Sequence, residues 1–363
     1  MTGLLLVTGG AGFIGSRVVA AAERAGWRVR ILDSFRRDVH PSATRNEPDG
    51  VEVVHGDVRD RAAVDGALAD VDAVCHLAAK VGLGVDVGDA PDYVSSNVLG
   101  TAELLAAMAV AGVRRLVLAS SMVVYGEGAY RDAHGAIAAP PRTRDDLERG
   151  LFEPRSPRTG EALQPALVRE EDATDPRNVY AATKLAQEHL VRAWARETGA
   201  RAAMLRYHNV YGPGMPRNTP YAGVAALFRS EAEAGRAPRV FEDGGQRRDF
   251  VHVDDVAAAT VAALAWTARP PSGEADQDAR AFNVASGEVR TIGELAHAIA
   301  EARGGPSPIT TGGYRLGDIR HITASADRLR AELGWRPRVA FADGVREFAT
   351  APMREPAGAP VAP

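Results

Sequence analysis

Tyr180 and Lys184 stand four residues apart in Tyr180-Ala181-Ala182-Thr183-Lys184, a spacing that places both on one face of a helix. A phenol with a pKa near ~10 is a poor base at neutral pH. A neighbouring ammonium favours the phenolate. Lowering the pKa by about three units takes roughly 4 kcal/mol, within reach of two nearby cations in a partly dry site. Such a pair is suited to moving a proton on and off a hydroxyl. Lysine occurs only at positions 80 and 184, and the rest of the 43 lysine-plus-arginine residues are arginine. A forked guanidinium is no isostere of a compact ammonium, so Lys184 marks a place that arginine does not suit. With so few lysines and eight tyrosines in 363 residues, the pairing is expected about 0.04 times by chance. A solvent-facing helical pair is the bland alternative. Ser120-Ser121 closes an apolar run before Met122-Val123-Val124-Tyr125-Gly126, and Ser121 is the hydroxyl expected to support Tyr180 at the reacting oxygen.

The elements that must position these groups follow from the alternation of short β-branched runs with longer helical patterns. Strands are predicted at Leu4–Thr8, Arg28–Asp33, Val51–His55, Ala73–Leu77 and Arg115–Ser120, and helices near Phe13–Ala25, Asp60–Ala67, Pro91–Ala111 and Asn178–Thr198. That order implies βαβ units. The predicted fold is α/β: a Rossmann doubly wound parallel sheet with a smaller C-terminal α/β substrate domain. A hydroxyl at the carboxyl end of a parallel strand faces the ligand crevice, which suits Ser121.

The first strand runs into Thr8-Gly9-Gly10-Ala11-Gly12-Phe13-Ile14-Gly15 and then a helix. Glycines at 9, 12 and 15 permit the tight turn and the approach of a pyrophosphate, which the helix N-terminus attracts. Asp33, with Ser34 after it, ends the second strand, where an acid binds the adenosine ribose and repels a 2′-phosphate. NAD is therefore expected over NADP, although Arg36 and Arg37 lie close by. The positive nicotinamide ring would be the second cation beside Tyr180. Asp57, in Gly56-Asp57-Val58, is placed to meet the adenine or to cap the next helix.

Hydrophobic residues make up 45% and charged residues 25% of the chain, and the formal net charge is −4. This argues against a nucleic-acid or anionic-membrane partner, which would favour a basic surface. The single cysteine, Cys75, rules out an intrachain disulfide and a cysteine-based metal site. It sits in an apolar run and is expected to be a core residue. The N-terminus carries no signal-peptide pattern, no apolar run of membrane-span length is evident, and a cytoplasmic setting is expected. Residues 127–177, rich in Pro, Arg, Gly and Asp, break the rhythm and are expected to be an irregular insertion covering one edge of the site. Thr267–Arg280 is expected to be a surface loop, and 351–363 a disordered tail.

Together these motifs resemble the extended short-chain dehydrogenase/reductases, in their NAD-dependent nucleotide-sugar epimerase/dehydratase branch. The resemblance spans about residues 3–348. It is carried by TGGAGFIG, Asp33, GDV at 56–58, HLAA at 76–79, NVLGT at 97–101, SSMVVYG at 120–126, YAATK, LRYHNVYGP at 205–213, RRDFVHVDD at 247–255, FNVASG at 282–287 and RLGD at 315–318. It implies that Ser121, Tyr180 and Lys184 are catalytic. It implies a cofactor site of Gly9, Gly12, Phe13, Ile14, Gly15, Asp33, Ser34, Asp57, Val58, Leu77, Ala78, Ala79, Lys80, Asn97 and Tyr207, together with Tyr180 and Lys184. Asn209, Arg248 and Arg315 would hold the diphosphate and the sugar nucleotide, Asp318 its ribose, and Phe241 would stack on the base. Ser121, Met122 and Val123 would line the sugar.

Family dehydratases carry acids just after the catalytic hydroxyl. Met122 and Val123 stand there instead and offer no proton to a leaving hydroxyl. The long interval between Ser121 and Tyr180, with SSM-VYGEG-Y, NTPYAGVAALF, VFEDGGQRRDF and YRLGDIRH, is most similar to bacterial dTDP-L-rhamnose 4-epimerases. Relatives of that kind often carry a CPxCG element in the insertion; Ser156-Pro157-Arg158-Thr159-Gly160 replaces it, and His208 replaces a usual phenylalanine. The implied activity is 4-epimerisation of a nucleotide-activated 6-deoxyhexose, a dTDP-sugar, through a transient 4-keto sugar. A 4-ketosugar reductase and a nicotinamide-sensing binding protein are the alternatives. Lys80 is read either as a phosphate ligand or as an incidental loop residue, and His76 and His252 as structural. The expected parts are 1–208 with a returning segment near 248–285, and 209–247 with 286–350. A homodimer is expected from the resemblance.

Overall fold

A computed structural model describes residues 3–36, 39–40, 50–82, 87–217, 223–270, 272–274 and 278–354. Seven parallel strands form the central sheet: β1 (Leu4–Thr8), β2 (Arg28–Asp33), β3 (Glu52–His55), β4 (Ala73–His76), β5 (Arg115–Ser121), β9 (Arg201–Tyr207) and β13 (Ala279–Val284). Their spatial order is β13-β9-β5-β4-β1-β2-β3. The strand order reverses between β1 and β4, which is where a doubly wound sheet opens a ligand crevice at its strand ends. Thr8 lies beside His76 at that point. Leu5, Val7, Cys75, Val117, Ala203 and Leu205 are buried on one face of the sheet, and Leu6, Val74, Leu116, Leu118 and Met204 on the other. Both faces are covered, as a parallel sheet requires.

Two helices near the site begin at caps that the sequence supplies. Asn178 caps the Val179–Thr198 helix by accepting from the Ala181 N–H, and Gly199 ends it in the left-handed region at φ 66°. Asp60 caps the Arg61–Ala67 helix, so the capping role considered for Asp57 belongs to Asp60. The segment predicted as one helix over 91–111 is a composite. It begins at Val87, carries a π-helical stretch at Val94–Leu99 and continues as α-helix over Gly100–Ala111. Its 25 residues are long and apolar enough to cross a membrane by composition, which corrects the expectation of no such run. Leu104, Leu105 and Met108 are nonetheless buried against the sheet, so it packs as a core helix.

Residues 127–177 are more regular than expected. They form a small antiparallel sheet of β6 (Ala129–Asp132), β7 (Gly135–Ile137) and β8 (Gln164–Ala166), plus a short helix over Arg144–Glu148. The missed regularity has a simple cause: strands of three or four residues are too short to show a period.

The smaller part holds β10 (Asn209–Tyr211), β11 (Arg239–Val240), β12 (Arg247–His252), β14 (Val289–Thr291) and β15 (Ile309–Thr310). β12 pairs with β10 and β14 in a separate three-stranded sheet. The return to the large sheet therefore starts at Val253, after β12, and not at 248. Helices Val224–Glu233, Ile292–Arg303 and Phe341–Thr350 bury Phe228, Leu295, Ile299, Val345 and Phe348 in a third core. Ile322, Ala324, Leu329 and Trp335 belong to a core of the large sheet, so the C-terminal segment serves both parts. Arg280, expected in a surface loop, lies in β13. Residues 351–354, expected in a disordered tail, are tied down: Met353 is buried and Arg354 bridges to Pro216. Arg37 and residues 355–363 lie outside the described residues.

Candidate active site

Ser121 ends β5, and the helix that starts at Val179 sets Tyr180 close to it. Strand alternation assigns the two serines opposite duties. Ser121 faces the crevice, half-buried, while Ser120 points the other way and donates to Glu188 Oε1 at 2.5 Å. Glu188 is one turn beyond Lys184 and two beyond Tyr180, so the three groups form a ladder on one helix face. Lys184 is buried at 3% exposure. Its Nζ donates to the Ala119 carbonyl at 2.8 Å and lies 6.0 Å from the Tyr180 ring centroid.

Burial pushes the Lys184 ammonium down to about 8, with Glu188 pulling the other way. Loss of water pushes the Tyr180 phenol up to about 12, against the opposing pull of the nearby Ser121 hydroxyl. The expected lowering of this phenol rests on two cations, Lys184 and the nicotinamide ring, and burial opposes it in the protein alone.

The floor is a polar network. Asn97, on the π-helical stretch and fully buried, accepts from the Lys80 N–H at 2.8 Å and donates to Thr183 Oγ1 at 3.0 Å. Single-turn π-helical stretches recur at functional sites because they re-aim one side chain. His76 bonds Thr8 at 2.7 Å and Thr101 at 2.9 Å, and burial pushes it down to about 3. It is a neutral brace between strand and helix. His252 caps the Val253–Trp266 helix by accepting from the Asp254 N–H.

The glycine turn has the shape a dinucleotide needs. Gly9 sits at φ +71°, and a Cβ there would meet the Ala78 nitrogen at 2.7 Å. A Cβ on Gly15 would run into the Gly9 carbonyl oxygen. At Gly12 the added carbon would meet only that same oxygen, at 3.1 Å, so its other sides are open. Gly12 caps the Phe13–Arg24 helix without any side-chain acceptor, leaving the N–H groups of Phe13 and Ile14 to bind an anion. Asp33 Oδ2 accepts from the Ala11 N–H at 3.1 Å and Oδ1 from the Phe35 N–H at 2.9 Å. Burial raises its pKa, yet contacts from His40, Phe35 and Ala11 outweigh this and hold the carboxyl below its ordinary value. A stable carboxylate at the end of β2 fits an adenosine ribose. Ser34 beside it is exposed. These residues fit NAD.

Other expected cofactor residues are placed unevenly. Leu77, Ala78 and Ala79 follow β4 at the crevice, half-buried, and Val58 is buried next to Asp57. The Asp57 carboxylate grips Arg59 at 2.7 Å. The Lys80 ammonium is taken up by Asp92 at 2.8 Å and Asp89 at 3.4 Å and lies over the Tyr93 ring. These contacts tie Lys80 to the composite helix. The Tyr207 hydroxyl turns to Thr260 at 2.8 Å, inside the core.

On the substrate side, Met122 and Val123 form the first turn after Ser121, which accepts from the Val123 N–H. Asn209 donates to Met122 Sδ at 3.5 Å and to the Asp249 carbonyl at 3.2 Å. Arg315 lies 5.1 Å over the Phe241 ring. Arg248 donates to the carbonyls of Arg247, Arg320 and Ile319, so it braces the loop that carries Asp318. Arg142, from the insertion, reaches the Asp318 carbonyl at 2.6 Å and the Glu242 carboxylate at 2.7 Å. The insertion thus bonds to both segments that carry the expected base-binding residues. Glu188 and Arg142 were missed in the sequence. Glu188 had a signal, its place four residues after Lys184; Arg142 had none.

A family model described as the NAD dependent epimerase/dehydratase family matches residues 5–157 and 158–285. The chain is 37% identical over 355 residues to dTDP-L-rhamnose 4-epimerase of Burkholderia thailandensis, covering 95% of this chain and 94% of that protein. It is 34% identical to UDP-glucose 4-epimerase of Mycolicibacterium smegmatis, over 94% of this chain and 95% of that one. Among solved structures, UDP-glucose 4-epimerase of Thermus thermophilus in complex with NAD superposes with a TM-score of 0.73 at 32% identity, covering 95% of this chain and 97% of the other. The Thermotoga maritima UDP-glucose 4-epimerase with UDP-glucose gives 0.75 at 25% identity, with coverage of 95% and 97%.

Proposed function

The chain belongs to the NAD-dependent epimerase/dehydratase family and is a nucleotide-sugar 4-epimerase, and on that premise we propose that its substrate is a dTDP-activated 6-deoxyhexose inverted at carbon 4. The observation that carries this reading is the buried Lys184 with its Nζ 6.0 Å from the ring centroid of Tyr180, which stands by Ser121, and with Met122 and Val123 where an acid would be needed for dehydration. The likeness to dTDP-L-rhamnose 4-epimerase supports the choice of nucleotide and sugar.

Bound NAD supplies the acceptor, and later the donor, for the hydrogen at carbon 4. Tyr180 takes the proton of the 4-hydroxyl and returns it after the ketone has turned over. Ser121 holds the same oxygen and keeps it within reach of the phenol. Lys184, fixed by the Ala119 carbonyl, supplies positive charge beneath the phenol and opposes its loss of solvation. Phe241 stacks on the base, with Arg315 against it. Asn209 and Arg248 hold the diphosphate side while the sugar rotates. Met122 and Val123 present apolar surface to the ring and exclude water from the ketone.

Exposed Val94, Leu99 and Val110 on the composite helix support a homodimer built on that face, which light scattering of the purified protein would reveal. The buried free thiol of Cys75 is compatible with a cytoplasmic location.

Incubation with a panel of dTDP-, UDP- and GDP-sugars, followed by NMR, tests the reading. A dTDP-6-deoxyhexose should interconvert with its 4-epimer without added reductant. Stoichiometric consumption of added reduced cofactor would make the protein a ketosugar reductase. Preference for UDP-glucose would overturn the choice of nucleotide and sugar.

A further inference from the structure

The main chain at 352–354 is stitched to the loop after β10. Gly214 donates to the Pro352 carbonyl at 3.0 Å, Arg354 to the Met215 carbonyl at 3.1 Å, and Arg217 to the Arg354 carbonyl at 3.0 Å. From this strap the Arg354 side chain reaches the back of the glycine turn. It donates to the Ala11 carbonyl at 2.6 Å, to the Gly12 carbonyl at 3.0 Å and to Ser16 Oγ at 3.1 Å.

A peptide unit is planar and trans, so fixing a carbonyl oxygen on one side aims the N–H of the same unit to the other. The Gly12 carbonyl shares its plane with the Phe13 N–H, the first donor of the helix, and the Ala11 carbonyl shares its plane with the Gly12 N–H. Asp33 holds the preceding plane from the opposite side, through the Ala11 N–H at 3.1 Å. The turn is thus gripped by an acid through one N–H and by a base through two carbonyls. An open, glycine-rich turn has more conformational freedom to lose than any other segment, and a cradle ordered in advance binds more tightly than one ordered on binding.

We infer that Arg354 is a cofactor-positioning residue: the C-terminal strap latches the glycine turn so that the Phe13 N–H stays aimed at the NAD diphosphate. The latch is independent of which sugar is turned over. A guanidinium suits the task because its fork spans two carbonyls and a hydroxyl at once, which an ammonium does not. Linkage makes the coupling reciprocal, so NAD bound at the turn steadies the strap.

The test uses full-length enzyme purified with its cofactor. NAD release into excess buffer is followed by separating free from bound nucleotide, alongside hydrogen exchange of peptides covering 9–16 and 350–354. R354A should release NAD at least ten-fold faster and lose protection over 9–16. Its kcat at saturating NAD should stay within two-fold of the parent. R354K should fall between the two, and S16A, which removes one of the three contacts, should show a smaller change in the same direction. In the parent, adding NAD should slow exchange over 350–354. Unchanged NAD release in R354A would overturn the inference. If R354A does not fold, S16A and the NAD-dependence of exchange decide it, and no change in either would overturn it. Failure of the dTDP-sugar reading would leave all of these readouts intact.

Discussion

Glu188 and Arg206 form a paired contact in the interior, with Oε2 2.7 Å from one guanidinium nitrogen and Oε1 2.9 Å from another. Exposure is 1% for the acid and 3% for the base. Arg206 also donates to the Tyr125 hydroxyl at 2.8 Å, which in turn donates to Asn283 at 2.7 Å. The helix that carries Tyr180 and Lys184 is thereby joined to β9, β13 and the turn after Ser121. Breaking one side of such a pair leaves a charge stranded in the interior, at a cost of about 3–5 kcal/mol. Glu188→Ala is expected to lower stability by that order, read as the denaturant midpoint of the purified protein.

Tyr180→Phe removes the proposed proton carrier and keeps the ring. Proton transfer by a positioned side chain contributes about 10²–10⁴-fold, so sugar interconversion should fall by at least that lower bound. The melting temperature should hold, because the ring stays packed against Tyr93 at 6.0 Å. Full activity in this variant would sink the mechanism.

Lys184, pushed down to about 8 by burial, loses its charge as pH rises through that value, and its support of the Tyr180 phenolate goes with it. The pH–rate profile should therefore bend downward near 8. Lys184→Arg keeps its charge and should abolish that bend while running more slowly. Stability moves the other way. The folded pKa lies below the ordinary value of 10.5, so the unfolded chain binds more protons between about 8 and 10.5, and this group adds stability as pH rises through that window. Tyr180, raised to about 12, adds stability that is present below its ordinary value and is lost as pH rises toward 12.

The glycines of the turn should separate two kinds of failure. Gly15→Ala forces a carbon onto the Gly9 carbonyl and is expected to leave little folded protein. Gly12→Ala adds its carbon into the open cradle, so the apo-protein should melt normally while NAD is lost. Circular dichroism and nucleotide content of the purified variants give the two readings.

Arg142→Ala cuts the insertion from the Asp318 loop and leaves Glu242 with Arg320 as its remaining ion pair among the described residues, at 2.8 Å. KM for the nucleotide sugar should rise about ten-fold with kcat little changed, the pattern of lost ground-state and transition-state binding alike. A fall in kcat alone would assign the insertion to the chemical step.

The glycine turn, the Tyr–Lys spacing and the first five strands were legible in the sequence because each is set by neighbours within one element. Choosing Ser121 over Ser120 rested on its place at the carboxyl end of a strand and on resemblance, and the structure adds the physical reason in strand alternation and Glu188. Features set by distant partners were not legible. β12 looked like part of the large sheet until its pairing with β10 and β14 moved it. Lys80 left two readings open in the sequence, because its partners Asp92 and Asp89 lie on a neighbouring turn of the chain that carries no pairing signal. The three short strands of the insertion carry no periodicity, and nothing near Arg354 hints at a partner 343 positions away.

That separation has a consequence for biogenesis. Ribosomes add about 5–20 residues per second, so roughly 20–70 s pass between synthesis of the turn and synthesis of its clamp. A nascent chain that has emitted β13 holds every strand of the large sheet, yet its nucleotide cradle still lacks one of its two grips. Cofactor capture is then a late event in maturation, and a chain arrested before residue 354 would leave the ribosome with its sheet assembled and its nucleotide turn loose.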